Sequence, residues 1–234
     1  MRSIVRNPAA AEDVQRLRAQ LERVQGRRMD APVLPADPAL AGLLPGRGLR
    51  PGSAYALGSS LTLLSALLAP PSQAGSWCGV VGMPEFGAEA AERVGVALDK
   101  LVLIPEPGTR WLAVTAAIAE VLPVVAVRPP SRARDADISR LAARLRERGA
   151  VLLVQGTWPQ TEAMIDVSDP VWSGVGDGHG YLAARELTVT VSSRRSPVPR
   201  RARVQLPASS GQVAAASTPV PRSAPMPLPI RAAG

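Results

Sequence analysis

The chain has 234 residues, 46% of them hydrophobic but only 3% aromatic, so its core has to be built from aliphatic side chains. Its formal net charge is +8, yet seven arginines from residue 194 onward face no carboxylate, which leaves residues 1–193 at +1 and argues against the folded body being itself a DNA-binding surface. One cysteine, Cys78, and one histidine, His179, exclude an internal disulfide and argue against a Cys/His metal site; no metal ligand set or cofactor is expected. No run reaches the ~18 apolar residues of a membrane span, and no apolar signal run opens the chain, so a cytoplasmic protein is expected.

Asn7-Pro8 suits an N-cap and first helical position, and residues 12–25 then read as a helix ending before Gly26. Val14, Leu17, Leu21 and Val24 recur at helical spacing and form a narrow apolar seam on a charged helix. That seam suits either packing on its own domain or docking to a neighbouring subunit or partner. Residues 27–50 are Pro-rich, an irregular lead into the core.

The stretch from Pro51 to Ala69 reads as a strand at 53–57, a tight turn at Gly58-Ser59-Ser60, and an apolar helix from Leu61. Strand, small-residue turn and helix is how a phosphate-binding loop is built, because N–H groups at a helix start can cradle an anion. The candidate loop residues are Gly58, Ser59, Ser60 and Thr62. The working loop, however, has the form GxxxxGK[ST], with a Lys that reaches the β- and γ-phosphates. This turn is too short and has no Lys; the chain's one Lys is Lys100.

Strands then alternate with helices: strands at 77–81, 101–104, 124–127 and 151–154, and helices at 89–97, at 109–121 with Thr109 as cap, and at 135–148 closed by Gly149. The short, wholly apolar strands read as buried parallel ones, and the βα alternation predicts a three-layer α/β sandwich around a mostly parallel sheet. Residues 174–180 (GVGDGHG) read as a mobile loop and 186–192 as an edge strand. His179 and Ser173 lack the partners that acid–base or nucleophilic chemistry needs. Cys78 reads as a small buried residue, and Trp158 and Trp172 as packing residues or base-stacking platforms in loops. Beyond Ser193 a Pro-rich stretch without apolar periodicity predicts disorder. The expected organisation is an N-terminal helix and linker (1–39), a core (40–193) and a basic tail (194–234). In that tail Arg194, Arg195, Arg200, Arg201 and Arg203 are candidates for contact with DNA or a partner.

Taken in order, residues 40–193 resemble a degenerate core of the RecA recombinase family. Gly48 to Ser53 (GLRPGS) resembles the turn before the phosphate-loop strand, and Ser59-Ser60-Leu61-Thr62 falls where the family has SSGKT. Residues 122–128 (LPVVAVR) fall on the Walker B strand, with Arg128 at the position of the Mg²⁺-binding Asp. Glu85 lies near the place of the water-activating Glu, one residue off. With Lys and Asp both lost, the resemblance implies a RecA-like fold without ATP hydrolysis and no catalytic residue to transfer. Within that group the chain resembles the short accessory factors of the actinobacterial mutasome, the ImuA-prime type. That resemblance implies an adaptor in DNA-damage-induced translesion synthesis. Its partners would be an inactive Y-family polymerase homologue and an error-prone replicative-type polymerase, with self-association a further expectation. SulA-type cell-division inhibitors, which also lack the ATP site, are the alternative.

Overall fold

The computed structural model describes residues 32–176 and 179–216. A short helix α1 (Pro38–Ala41) precedes β1 (Ala54–Leu57) and α2 (Leu61–Gln73). There follow β2 (Cys78–Val81), α3 (Ala88–Val94), β3 (Leu101–Ile104), α4 (Trp111–Ile118) and β4 (Val124–Val127). Helix α5 (Asp135–Arg148) leads to β5 (Val151–Gln155), and β6 (Ala163–Gly176), β7 (His179–Ser193), β8 (Ser196–Gln205) and β9 (Ala214–Ala215) complete the described chain.

All nine strands belong to one sheet, ordered β3-β2-β4-β5-β1-β6-β7-β8-β9. From β3 to β6 the pairing is parallel, and from β6 to β9 it is antiparallel. Strands β1, β2, β4 and β5 are buried at every residue, as parallel strands covered on both faces must be. Alternate side chains divide between two cores. Tyr55, Leu57, Val80, Val124 and Leu153 pack against α2 and α3 on one face. Ala54, Val81, Val125, Leu152 and Val154 pack against α4 and α5 on the other. The expected α/β architecture, with helices on both faces of a mostly parallel sheet, is what the chain adopts.

Local chemistry accounts for the helices. Ser60 caps α2, its Oγ accepting from the Leu63 N–H at 3.2 Å. Helix α5 turns Ile138, Leu141 and Leu145 inward, carries Asp135 and Asp137 in its first turn and Arg146 and Arg148 in its last. Both charge placements complement the helix dipole. Gly149 ends it at φ 72°, a left-handed conformation that glycine adopts without the steric penalty of a β-carbon.

Several expectations are corrected. The sheet does not end at Ser193: Arg194 and Arg195 form a turn, and Ser196–Gln205 continues as β8. Of the expected disordered tail, residues 196–205 are a strand, with Val204 buried beside Leu187, Val189 and Val191 of β7, and residues 217–234 lie outside the described residues. Proline composition concealed it. The β7–β8 register shifts between Val191 and Ser193, opposite residues 197–199, and β9 pairs only Val204 and Gln205, so Pro197 and Pro199 lie where the ladder is irregular on one side and unpaired on the other. Residues 186–192 form part of β7, an interior strand rather than an edge. Gly174 to Gly176 and His179-Gly180 are hairpin strand ends rather than loop. Strand β6 was not anticipated, and Trp172 lies within it. Its register shifts between Ser168 and Val171, where Asp169 takes φ 51° and Pro170 follows, a bulge that breaks the alternating pattern. Thr109 lies in a 3₁₀ turn (Gly108–Arg110) rather than capping α4. Helix α3 stops at Val94 because Gly95, at φ 109°, closes it.

Candidate functional site

The four candidate loop residues sit together between β1 and α2, where Ser59, Ser60 and Thr62 line a cleft of about 300 Å³ with Ser168, Pro170 and Arg185. Two of them, Gly58 and Ser60, have local tasks unrelated to phosphate. The Gly58 N–H donates to the Ile165 carbonyl at 3.0 Å and is not free for an anion. A β-carbon at Gly58 would collide with the Asp166 carboxylate, which occupies the space beside the turn. That carboxylate opposes negative charge at the position where a phosphate would lie. The Ser60 oxygen caps α2, which takes the Leu63 N–H, a helix-start donor, out of reach of an anion. Lys100 stands just before β3, at the opposite edge of the parallel strands, with its Nζ 5.2 Å from the centre of the Trp77 ring.

At the C-terminal ends of β2, β4 and β5 a second polar group is assembled. Arg128, immediately after β4, donates from Nε to Gln155 Oε1 at 2.7 Å and pairs with Glu85 through its Nη1. Glu85 is held below the usual carboxylate range, by its own backbone N–H and then by the Arg128 guanidinium. Gln155 is 7% exposed. With its Oε1 taken by Arg128, its Nε2 has no hydrogen-bond partner among the described residues. Sequence reasoning singled out Arg128 and Glu85 but missed Gln155. The available signal was a polar residue directly after the apolar run VLLV, where the strand emerges.

Two cavities adjoin this group. One, of about 610 Å³, is lined by Gln155, Trp158 and the start of α5; the other, of about 680 Å³, runs between α4 and α5. They share Ser131, Arg132 and Ala133 and so adjoin along that segment. Trp158 packs edge-on against the buried Trp111, ring centres 6.5 Å apart, which favours the packing reading for it. Trp172 is 49% exposed on β6, with the Arg185 guanidinium 5.2 Å from its ring centre.

The basic residues of the expected tail are dispersed along the β7–β8 hairpin. Arg195 pairs with Glu162 at 3.2 Å, and Arg200 donates to the Gly42 carbonyl at 3.4 Å. Arg203 donates to the Asp169 carbonyl at 3.0 Å and lies 3.6 Å from Glu186. Arg194 and Arg201 are exposed without an ion pair among the described residues. The proposed partner seam of Val14, Leu17, Leu21 and Val24 lies outside the described residues. No helix among the described residues is long and apolar enough to cross a membrane.

Residues 42–160 match the family described as the MT3502 N-terminal domain; the match takes in β1 to β5 and the lining of both adjoining cavities. The chain is also 30% identical over 200 residues to the uncharacterized protein Rv3395c of Mycobacterium tuberculosis (strain ATCC 25618 / H37Rv). That alignment covers 83% of this chain and 87% of the other. By both comparisons, the chain belongs to the MT3502 N-terminal domain family.

Proposed function

We propose that this protein is a non-catalytic, RecA-like adaptor of DNA-damage-induced translesion synthesis. It works by protein–protein contact with an inactive Y-family polymerase homologue and an error-prone replicative-type polymerase, and DNA contact is secondary. The observation that carries the reading is Arg128: a guanidinium tied to Glu85 and Gln155 stands at the strand end where a nucleotide hydrolase would hold Mg²⁺ with a carboxylate. The absence of a Lys near Gly58 and the presence of Asp166 beside that turn support the same conclusion.

The test is recovery of partners from damage-treated cells with the tagged full chain and with a chain ending at residue 216, which keeps β8 and β9. Polymerase-type proteins are expected with the full chain, and Leu17→Asp with Leu21→Asp is expected to lose them while the fold is retained. Recovery of division-ring components instead, with filamentous cells on overexpression, would favour a SulA-type inhibitor. ATP hydrolysis by the purified chain would overturn the non-catalytic assignment.

A further inference from the structure

We propose that the two adjoining cavities over α4, α5 and the end of β5 together form a docking site for an acidic peptide segment of a partner protein, seated by apolar anchors. The adaptor reading enters only in taking the occupant to be a protein.

Three observations define the occupant. The floor is apolar: Trp111, Leu112, Ile138, Leu141 and Trp158 line it. The rim is cationic: Arg110, Arg132 and Arg134 are exposed and have no ion pair among the described residues, whereas Arg140 and Arg144 are engaged by Asp137 and Glu120. At the inner end stands the Gln155 amide, whose buried Nε2 lacks an acceptor. A buried donor without a partner is unfavourable, so an incoming carbonyl or carboxylate oxygen that reaches it gains more than an exposed hydrogen bond would give. Apolar floor, polar rim and one inner donor together form the pattern of a peptide-binding groove.

The occupant comes from another chain. Residues 1–31 contain seven arginines against four carboxylates, and residues 217–234 contain two arginines and no carboxylate. Both terminal segments thus carry the sign of the rim and are repelled by it. A nucleic-acid strand fits less well than a peptide. Its backbone brings a charge at every nucleotide, and Asp135 and Asp137 stand among the lining residues. A peptide can space its carboxylates to meet the three unengaged arginines and place Leu or aromatic side chains on the floor.

Fluorescence anisotropy with the full chain tests this, using a short fluorescein-labelled peptide of alternating Asp/Glu and Leu/Trp. An Asn/Gln counterpart and single-stranded oligothymidine serve as competitors. The acidic peptide is expected to bind, and its counterpart to bind about tenfold more weakly. Arg110→Glu with Arg132→Glu, both on the exposed rim, is expected to weaken binding by a similar factor at an unchanged melting temperature. In the unmutated chain, the Gln155 side-chain amide resonance is expected to shift on titration, a readout that needs no variant. Absence of binding, binding indifferent to the arginine pair, or an unmoved Gln155 amide would each overturn the proposal. So would displacement by oligothymidine, which would assign the cleft to nucleic acid. The adaptor reading fails separately: if polymerase-type partners are never recovered from cells while the peptide binds, the cleft stands and that reading falls. If they are recovered equally by the arginine variant and the peptide does not bind, the reverse holds.

Discussion

A β-carbon added at Gly58 would meet the Asp166 carboxylate, because the parallel register that pairs Leu57 with Ile165 brings the two following residues side by side. Asp166 is exposed and its carboxylate can turn aside, so Gly58→Ala is expected to destabilise the fold by only about 0.5–1 kcal/mol. Asp166→Ser in the same chain is expected to recover most of that; thermal melts of the single and double variants decide it. Elsewhere, burial pushes the Cys78 thiol up to about 12 from an ordinary 9.0, and mainly burial pushes the Tyr55 hydroxyl up to about 12 from 10.0. Both folded values exceed the unfolded ones. The unfolded chain therefore releases its protons first, and the stability these groups contribute is intact below about pH 9 and declines as pH rises towards 12. Cys78→Ala is expected to make that alkaline decline shallower in denaturant titrations. At this scale the sequence makes losses easy to read, such as the missing Lys and the Arg after VVAV. Gln155 escaped notice because its importance lies in what its amide lacks, which only three-dimensional neighbours reveal.

Among the elements, the short apolar strands were legible: VVAV and VLLV are buried at every residue, which leaves no polar residue to interrupt them, and LVLI, at the sheet edge, is apolar though only partly buried. LVLI, VVAV and VLLV are found within one residue of their expected bounds. The antiparallel half was not legible, for two physical reasons. The bulge at Asp169-Pro170 shifts β6 out of phase midway, and the prolines and arginines of β8 have the composition of a solvated tail although Val204 and Ala202 face the core. A chain ending at residue 195 is therefore expected to lose cooperative folding, since it uncovers one edge of β7 beside Leu187, Val189 and Val191. A chain ending at residue 216 is expected to melt like the full protein. Circular dichroism on the two truncations separates a structural strand from a dispensable tail.

For the molecule as a whole, the two cores on opposite faces of the sheet share the same four buried strands, so neither face can loosen alone. Amide exchange is expected to be slowest in β1, β2, β4 and β5, and faster in the edge strands β3 and β9, measurable by mass spectrometry of peptic fragments. The family match ends at residue 160, within the loop after β5, so the shared portion includes the parallel strands up to β5 but not β6. The placement of β1 has a consequence for synthesis. Its partners are β5 and β6, with Ala54 opposite Leu152 and Tyr55 opposite Ala163, about a hundred residues further along the chain. On the ribosome AYAL therefore emerges long before either neighbour exists, and α2 can form while the strand feeding it has nothing to pair with. Until the Ala163 region clears the exit tunnel, the nascent chain carries an unclosed apolar seam that a holding chaperone would have to cover.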